Sequence, residues 1–160
     1  MFAALFSQGL IIVIACLSIS HKHQLSKLQS VLNAATRLIF RVSRRCDVAS
    51  LVCNKLHWLP VNNRIVFKVC LFVWKVVHGF APSYLQDMFH LNNIDRRNSL
   101  RSASPFDLFV PRLRTRCGER SISYAGPVYW NSLPIDLRSL TNLNTFKSKL
   151  KTFLFSLSYM

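Results

Sequence analysis

Between Asn62 and His78 the charged residues are Arg64, Lys68 and Lys75, and on an α-helix all three fall on one narrow stripe. Ile65, Val66, Phe67, Val69, Leu71, Phe72, Val73, Trp74, Val76 and Val77 cover the rest of the circumference. A helix that is apolar round most of its surface leaves water only when neighbours enclose it on several sides. The sequence therefore predicts a mainly α single domain around this buried central helix, and Lys68 and Lys75 argue against a membrane span. The flanks agree. Pro60 ends whatever precedes it, Gly79 suits the left-handed position after the last turn, and Pro82 suits the first turn of a following helix, Pro82 to about Phe89.

The neighbours can be read from periodicity. In residues 24–45, Leu28, Val31, Leu32, Ala35, Leu38 and Ile39 recur at helical spacing and form the expected core face, with Arg37, Arg41 and Arg44 nearly opposite as a basic outer stripe. Asp47 can cap a short helix through Lys55. From Asn92 to Arg120 the pattern changes. Arg96, Arg97, Arg101, Arg112, Arg114, Arg116 and Arg120 are set among Ser, Pro and short apolar runs, and two short strands, Leu100–Ala103 and Leu108–Val110, predict one small β-hairpin with Pro105 between them. Leu113 and Ile122 are expected to anchor this segment. Gly126-Pro127 reads as a break, followed by a helical turn that carries Trp130 inward. Pro134 opens a short helix through Leu140. Thr141 or Asn142 then caps a last helix with Leu143, Phe146, Leu150, Phe153, Leu154 and Leu157 on one face, and Lys147, Lys149 and Lys151 away from it.

Charge narrows the function. The chain has 160 residues, enough for one domain with a real core, and 51% of them are apolar. Its 21 Lys and Arg stand against 6 Asp and Glu, a net charge of +15 that favours polyanions: nucleic acid or an anionic membrane face. Arginine forks grip phosphate bidentately, so the candidate nucleic-acid contacts are Arg37, Arg41 and Arg44 on the first helix and Arg96, Arg97, Arg112, Arg114 and Arg116 in the basic segment. The alternative for each is a solvated face. Tyr124, Tyr129 and Trp130 offer rings on which unpaired bases stack, although Trp58, Trp74 and Trp130 are better read as core. Catalysis finds no support: His57, His78 and His90 have no nucleophile motif beside them, and Gly9, Gly79, Gly118 and Gly126 are too dispersed for a phosphate loop. Cys16, Cys46, Cys53, Cys70 and Cys117 are odd in number and lack Cys-x-x-Cys spacing, so neither a disulfide framework nor a metal centre is expected. No cofactor and no small-molecule substrate is implied.

The head of the chain is distinct. Phe2 to Ile19 is an uncharged run of 18 residues followed by His21-Lys22-His23. Its length is at the lower edge of what spans a bilayer, Ser7, Gln8 and Gly9 weaken its middle, and as a signal peptide it lacks a basic start. Three readings stay open: a hydrophobic helix in a membrane, with the basic flank holding the rest in the cytoplasm; a signal-like head; and a helix packed on the core. Residues 1–21 are accordingly set apart from a helical domain at residues 22–158.

Four ordered blocks carry a family signature. The first is Leu28-Gln29-Ser30-Val31-Leu32-Asn33-Ala34-Ala35-Thr36-Arg37-Leu38. The second runs from Leu56-His57-Trp58-Leu59-Pro60-Val61-Asn62-Asn63-Arg64-Ile65 through Lys75 to Gly79-Phe80-Ala81-Pro82-Ser83-Tyr84-Leu85. Leu100-Arg101-Ser102 is the third. The fourth is Gly126-Pro127-Val128-Tyr129-Trp130-Asn131-Ser132-Leu133-Pro134 with Phe146-Lys147 and Leu150-Lys151 behind it. Over roughly residues 22–158 the chain resembles the carboxy-terminal region of non-LTR (LINE-type) retrotransposon polyproteins, downstream of the reverse-transcriptase catalytic core. The endonuclease, fingers, palm and Tyr-x-Asp-Asp box of that family are absent from this sequence, and with them the carboxylates that would bind catalytic metal. The resemblance thus implies a catalytically inactive retroelement fragment whose surviving activity is non-specific binding to an RNA or DNA backbone, in the nucleus or cytoplasm. The alternatives are a small single-span membrane protein with a basic cytoplasmic domain, and a relic without function.

Overall fold

A computed structural model of the chain describes residues 22–89, 106–115 and 118–159. Among them are seven α-helices: α1 (Lys22–Phe40), α2 (Ala49–Asn54), α3 (Val61–Val77), α4 (Ser83–Gln86), α5 (Ile122–Asn131), α6 (Ile135–Arg138) and α7 (Leu143–Tyr159), with a 3-10 turn at Gly118–Arg120. The fold is mainly α. Residues 1–21, with the hydrophobic run, lie outside the described residues.

α3 is central, as its all-round apolarity requires. Ile65, Val69, Cys70, Phe72, Val73, Trp74 and Val76 are buried, and α1, α4, α5 and α7 all pack against it. Its end is closed as Gly79 predicts. Gly79 takes φ +76°, its N–H donates to the Val76 carbonyl at 3.1 Å, and the Phe80 N–H reaches back to the Lys75 carbonyl at 2.8 Å. This paired pattern satisfies carbonyls that the helix itself leaves open.

α1 corrects the expected core face. Leu28, Val31, Leu38 and Ile39 are exposed, and the side that meets α3 carries Leu25, Gln29 and the fully buried Thr36. The reason lies in backbone hydrogen bonding. The first N–H groups of a helix have no partner inside it, and the Val61 N–H at the start of α3 donates to the Gln29 Oε1 at 3.0 Å. Thr36 is self-sufficient in the core because its hydroxyl donates to the Leu32 carbonyl at 3.0 Å. α1 also stops at Phe40 rather than continuing to residue 45. Arg41 turns left-handed at φ +50°, so that its N–H and that of Val42 return to the Leu38 and Arg37 carbonyls. An arginine fills the position where glycine is usual.

No strand forms among the described residues. Leu100–Ala103 lies outside them, and Leu108–Val110, the other half of the expected hairpin, is not a strand. Leu108 forms only an isolated β-bridge, and a side chain holds its backbone: its N–H donates to the Asn131 Oδ1 at 2.9 Å, and the Asn131 Nδ2 donates to its carbonyl at 2.8 Å. A carboxamide offers the same donor and acceptor pair as a neighbouring backbone.

Gly126 and Pro127 correct a second expectation. They do not break the chain but lie buried inside α5. Pro127 removes one helical hydrogen bond, and burial against α3 offsets that loss. A Cβ on Gly126 would sit 2.6 Å from the Phe89 Cε1 and 3.1 Å from the Val73 Cγ2. Gly126→Ala is therefore expected to cost about 1–2 kcal/mol net, the overpacking of a rigid ring exceeding the helix-propensity gain. Urea unfolding of the two chains checks this, and an alanine variant as stable as the parent refutes the close approach.

The carboxy-terminal half follows its capping residues. Pro134 precedes α6, and the Asn142 Oδ1 accepts the Asn144 N–H at 2.9 Å at the head of α7. Phe146, Leu150 and Leu154 are buried, while Leu157, expected on the same face, is exposed. α7 ends on the start of α3: Asn63 donates to the Leu154 carbonyl at 3.1 Å and to the Ser158 hydroxyl, and the Tyr159 hydroxyl donates to the Trp58 carbonyl at 3.0 Å.

Candidate nucleic-acid interface

The described part of the basic segment, residues 106–115, is fixed at its base by three side chains among the described residues. The Trp130 Nε1 donates to the Phe106 carbonyl at 2.9 Å. Asn131 clamps both backbone groups of Leu108. Arg138, buried on α6, pairs with Asp107. Beyond this base Arg112 and Arg114 are exposed to solvent, and Thr115 begins a turn that receives the Gly118 N–H at 3.0 Å. The segment thus has a rooted stem and free guanidinium heads, an arrangement suited to meeting phosphates without reorganising the core.

The other candidates are dispersed. Arg96, Arg97 and Arg116 lie outside the described residues. Arg41 and Arg44 are exposed in the turn after α1. Arg37 does not continue their stripe. It lines a cavity of about 620 Å³ with Gln29, Asn33, Asp47, Asn62 and Tyr159, and its Nε is buried with no hydrogen-bond partner among the described residues. Arg37, Arg41 and Arg44 were expected to share a face because a helix through residue 45 would align them; the left-handed turn at Arg41 separates them. On α7, Lys147, Lys149 and Lys151 are all exposed as expected.

The aromatic candidates divide. Trp130 is 1% exposed and belongs to the core, beside Phe146 at 5.9 Å between ring centroids. Tyr124 and Tyr129 are half-buried. Arg64 is engaged locally, its Nε donating to the Leu59 carbonyl at 2.9 Å and its guanidinium standing 5.2 Å from the Trp58 ring. Burial pushes the Cys70 thiol up to about 12, which keeps it protonated and unreactive at neutral pH. Cys46 is exposed and Cys53 half-buried, both free, and the described residues hold no group of three His, Cys, Asp or Glu placed for a metal ion.

Sequence reasoning did not single out Arg138, Asn131 or Gln29, the side chains that set the base of the basic segment and the orientation of α1. Each acts through a partner distant in sequence, so no local spacing announces it. No family model, no curated protein and no solved structure matches the chain.

Proposed function

We propose that the chain is a non-catalytic domain that binds nucleic acid through its sugar–phosphate backbone, derived from the carboxy-terminal region of a LINE-type retroelement polyprotein. The observation that carries this reading is the pairing of a large cationic excess, +15 over the chain, with Arg112 and Arg114 held exposed on a segment whose base is locked to α5 and α6. Phosphate contacts of this kind position a polynucleotide without reading its sequence. The four ordered sequence blocks support the retroelement origin, and the absence of the Tyr-x-Asp-Asp box from the sequence supports the lack of polymerase chemistry.

Salt dependence tests the reading. Arg96, Arg97, Arg112, Arg114 and Arg116 together should release counterions at about 0.7 per phosphate contact on a single strand, so log affinity should fall with log salt at a slope of roughly −3 to −4. Replacing Arg112 and Arg114 by Gln should flatten that slope by about 1.4 and weaken every sequence by a similar factor. Their exposure leaves the core untouched. Fluorescence anisotropy with several oligonucleotides over a salt series is the measurement, and a double variant with the parent slope removes this segment from the interface.

A further inference from the structure

Three aromatic rings meet where the end of α7 passes the turn that leads into α3. The Phe155 and Tyr159 rings are 4.8 Å apart between centroids, and the His57 ring stands 6.0 Å from Phe155. With Lys151, Thr152 and Ser156 they line one cavity of about 520 Å³. The exposed Phe80 is already stacked on Trp74 at 5.7 Å, whereas these three rings border a space of their own with a cation beside it. His57 and Lys151 are exposed, and Phe155 and Tyr159 half-buried.

The backbone holds this arrangement in place. His57 takes the left-handed region at φ +48°, a conformation that a residue of its size keeps only where its surroundings over-determine it. They do so here through Trp58, whose N–H donates to the Val52 carbonyl at 3.1 Å and whose carbonyl accepts the Tyr159 hydroxyl at 3.0 Å.

We infer that this cavity takes an unpaired base of single-stranded nucleic acid, an inference that rests on the nucleic-acid function proposed above and adds a site to it. Every base has a π-face, so a ring-lined groove gains by stacking whichever base enters. The Thr152 and Ser156 hydroxyls donate to the Ser148 and Phe153 carbonyls at 3.1 and 2.8 Å. Their oxygens keep lone pairs as acceptors, which complement the N–H edge that each base carries. Lys147 and Lys151, exposed one turn apart on α7, supply charge for the flanking phosphates, and the net charge of +15 selects a polyanion over a neutral or cationic partner. A duplex hides its base faces and does not fill the groove.

Fluorescence anisotropy of the full-length chain, with an oligothymidylate and with an abasic strand of the same phosphate number, tests the inference. The parent should bind the base-bearing strand at least about fivefold more tightly. His57→Asn keeps a residue that tolerates the left-handed turn, and Phe155→Leu keeps an apolar side chain against the core. Each should shrink that ratio several-fold while affinity for the abasic strand and its salt slope stay unchanged. A variant that fails to fold loses both strands alike, so photo-crosslinking of the parent to a 5-iodouracil strand is the second measurement, with adducts expected at His57, Phe155 or Tyr159. Equal affinity for the two strands with the salt dependence intact overturns the base site and leaves the backbone reading standing, and binding of neither strand overturns both. Adducts confined to other residues also overturn the site.

Discussion

Trp74→Ala is expected to destabilise the domain by about 3–5 kcal/mol, the range for truncating a large aromatic in a packed core. Trp74 is 1% exposed and stands between three rings: His78 at 4.0 Å, Phe80 at 5.7 Å and Phe146 at 5.9 Å between centroids. Its Nε1 also donates to the Leu140 carbonyl at 2.8 Å, tying α3 to the link between α6 and α7. Removing the indole therefore opens a cavity where α3 meets α7 and strips the Leu140 carbonyl of its donor. Domains of this size are stable by only about 5–15 kcal/mol in total, so the loss can unfold a marginal one. Trp74→Phe separates the two contributions, since it keeps much of the stacking and loses only the hydrogen bond, worth about 1 kcal/mol. Urea unfolding followed by circular dichroism measures both, and an alanine variant with the parent midpoint would displace α3 from the centre of the fold.

Asp107→Ala is expected to cost about 3 kcal/mol, because it leaves the Arg138 guanidinium buried without its counter-charge. The side chains are 9% and 23% exposed for Arg138 and Asp107 respectively, and the access of water to the carboxylate places the effect at the lower end of the range. The paired change Asp107→Ala with Arg138→Met should recover most of the loss, since a well-packed apolar replacement of a buried ion pair is often neutral. A double-mutant cycle in urea reads the coupling. If the single and paired variants are equally unstable, the damage comes from lost packing and the charge pair does not hold the segment. The single variant should also make the 106–115 segment more sensitive to protease, because its stem loses the Arg138 anchor.

The central helix was legible because its sequence admits one placement: a surface apolar on nearly every side has to be enclosed, and Pro60 and Gly79 mark where it begins and ends. α1 was legible as a helix and illegible as a packed one. Periodicity finds an apolar stripe but not the surface it meets, and here the choice was made by Gln29, whose amide completes the first turn of α3. The end of α1 was hidden for a related reason, since Arg41 adopts a conformation that usually announces itself with glycine. Gly126 and Pro127 have the local propensities of a break, overridden by the fit of Gly126 against Phe89 and Val73. Leu108–Val110 has the composition of a strand, but its pairing stops at a single bridge at Leu108, whose N–H and carbonyl are held by the Asn131 side chain. For the candidate interface, charge and residue type were readable directly, whereas the burial of Arg37 and the stem under Arg112 and Arg114 depend on contacts between elements far apart in the chain.

The contacts between α7 and the start of α3 constrain the order in which this protein can be made. Asn63 and Leu154 are 91 positions apart, and Trp58 and Tyr159 are 101 apart. A nascent chain that has emerged only through α3 carries a helix apolar on nearly every side with only α1 among its packed neighbours available, since α4, α5 and α7 are still being synthesised. Contacts of such separation form late, and exposed apolar surface during that interval invites aggregation. Emerging α3 thus stays uncovered for as long as translation lags behind it, and stop codons ahead of α7 should yield protein that aggregates rather than folds.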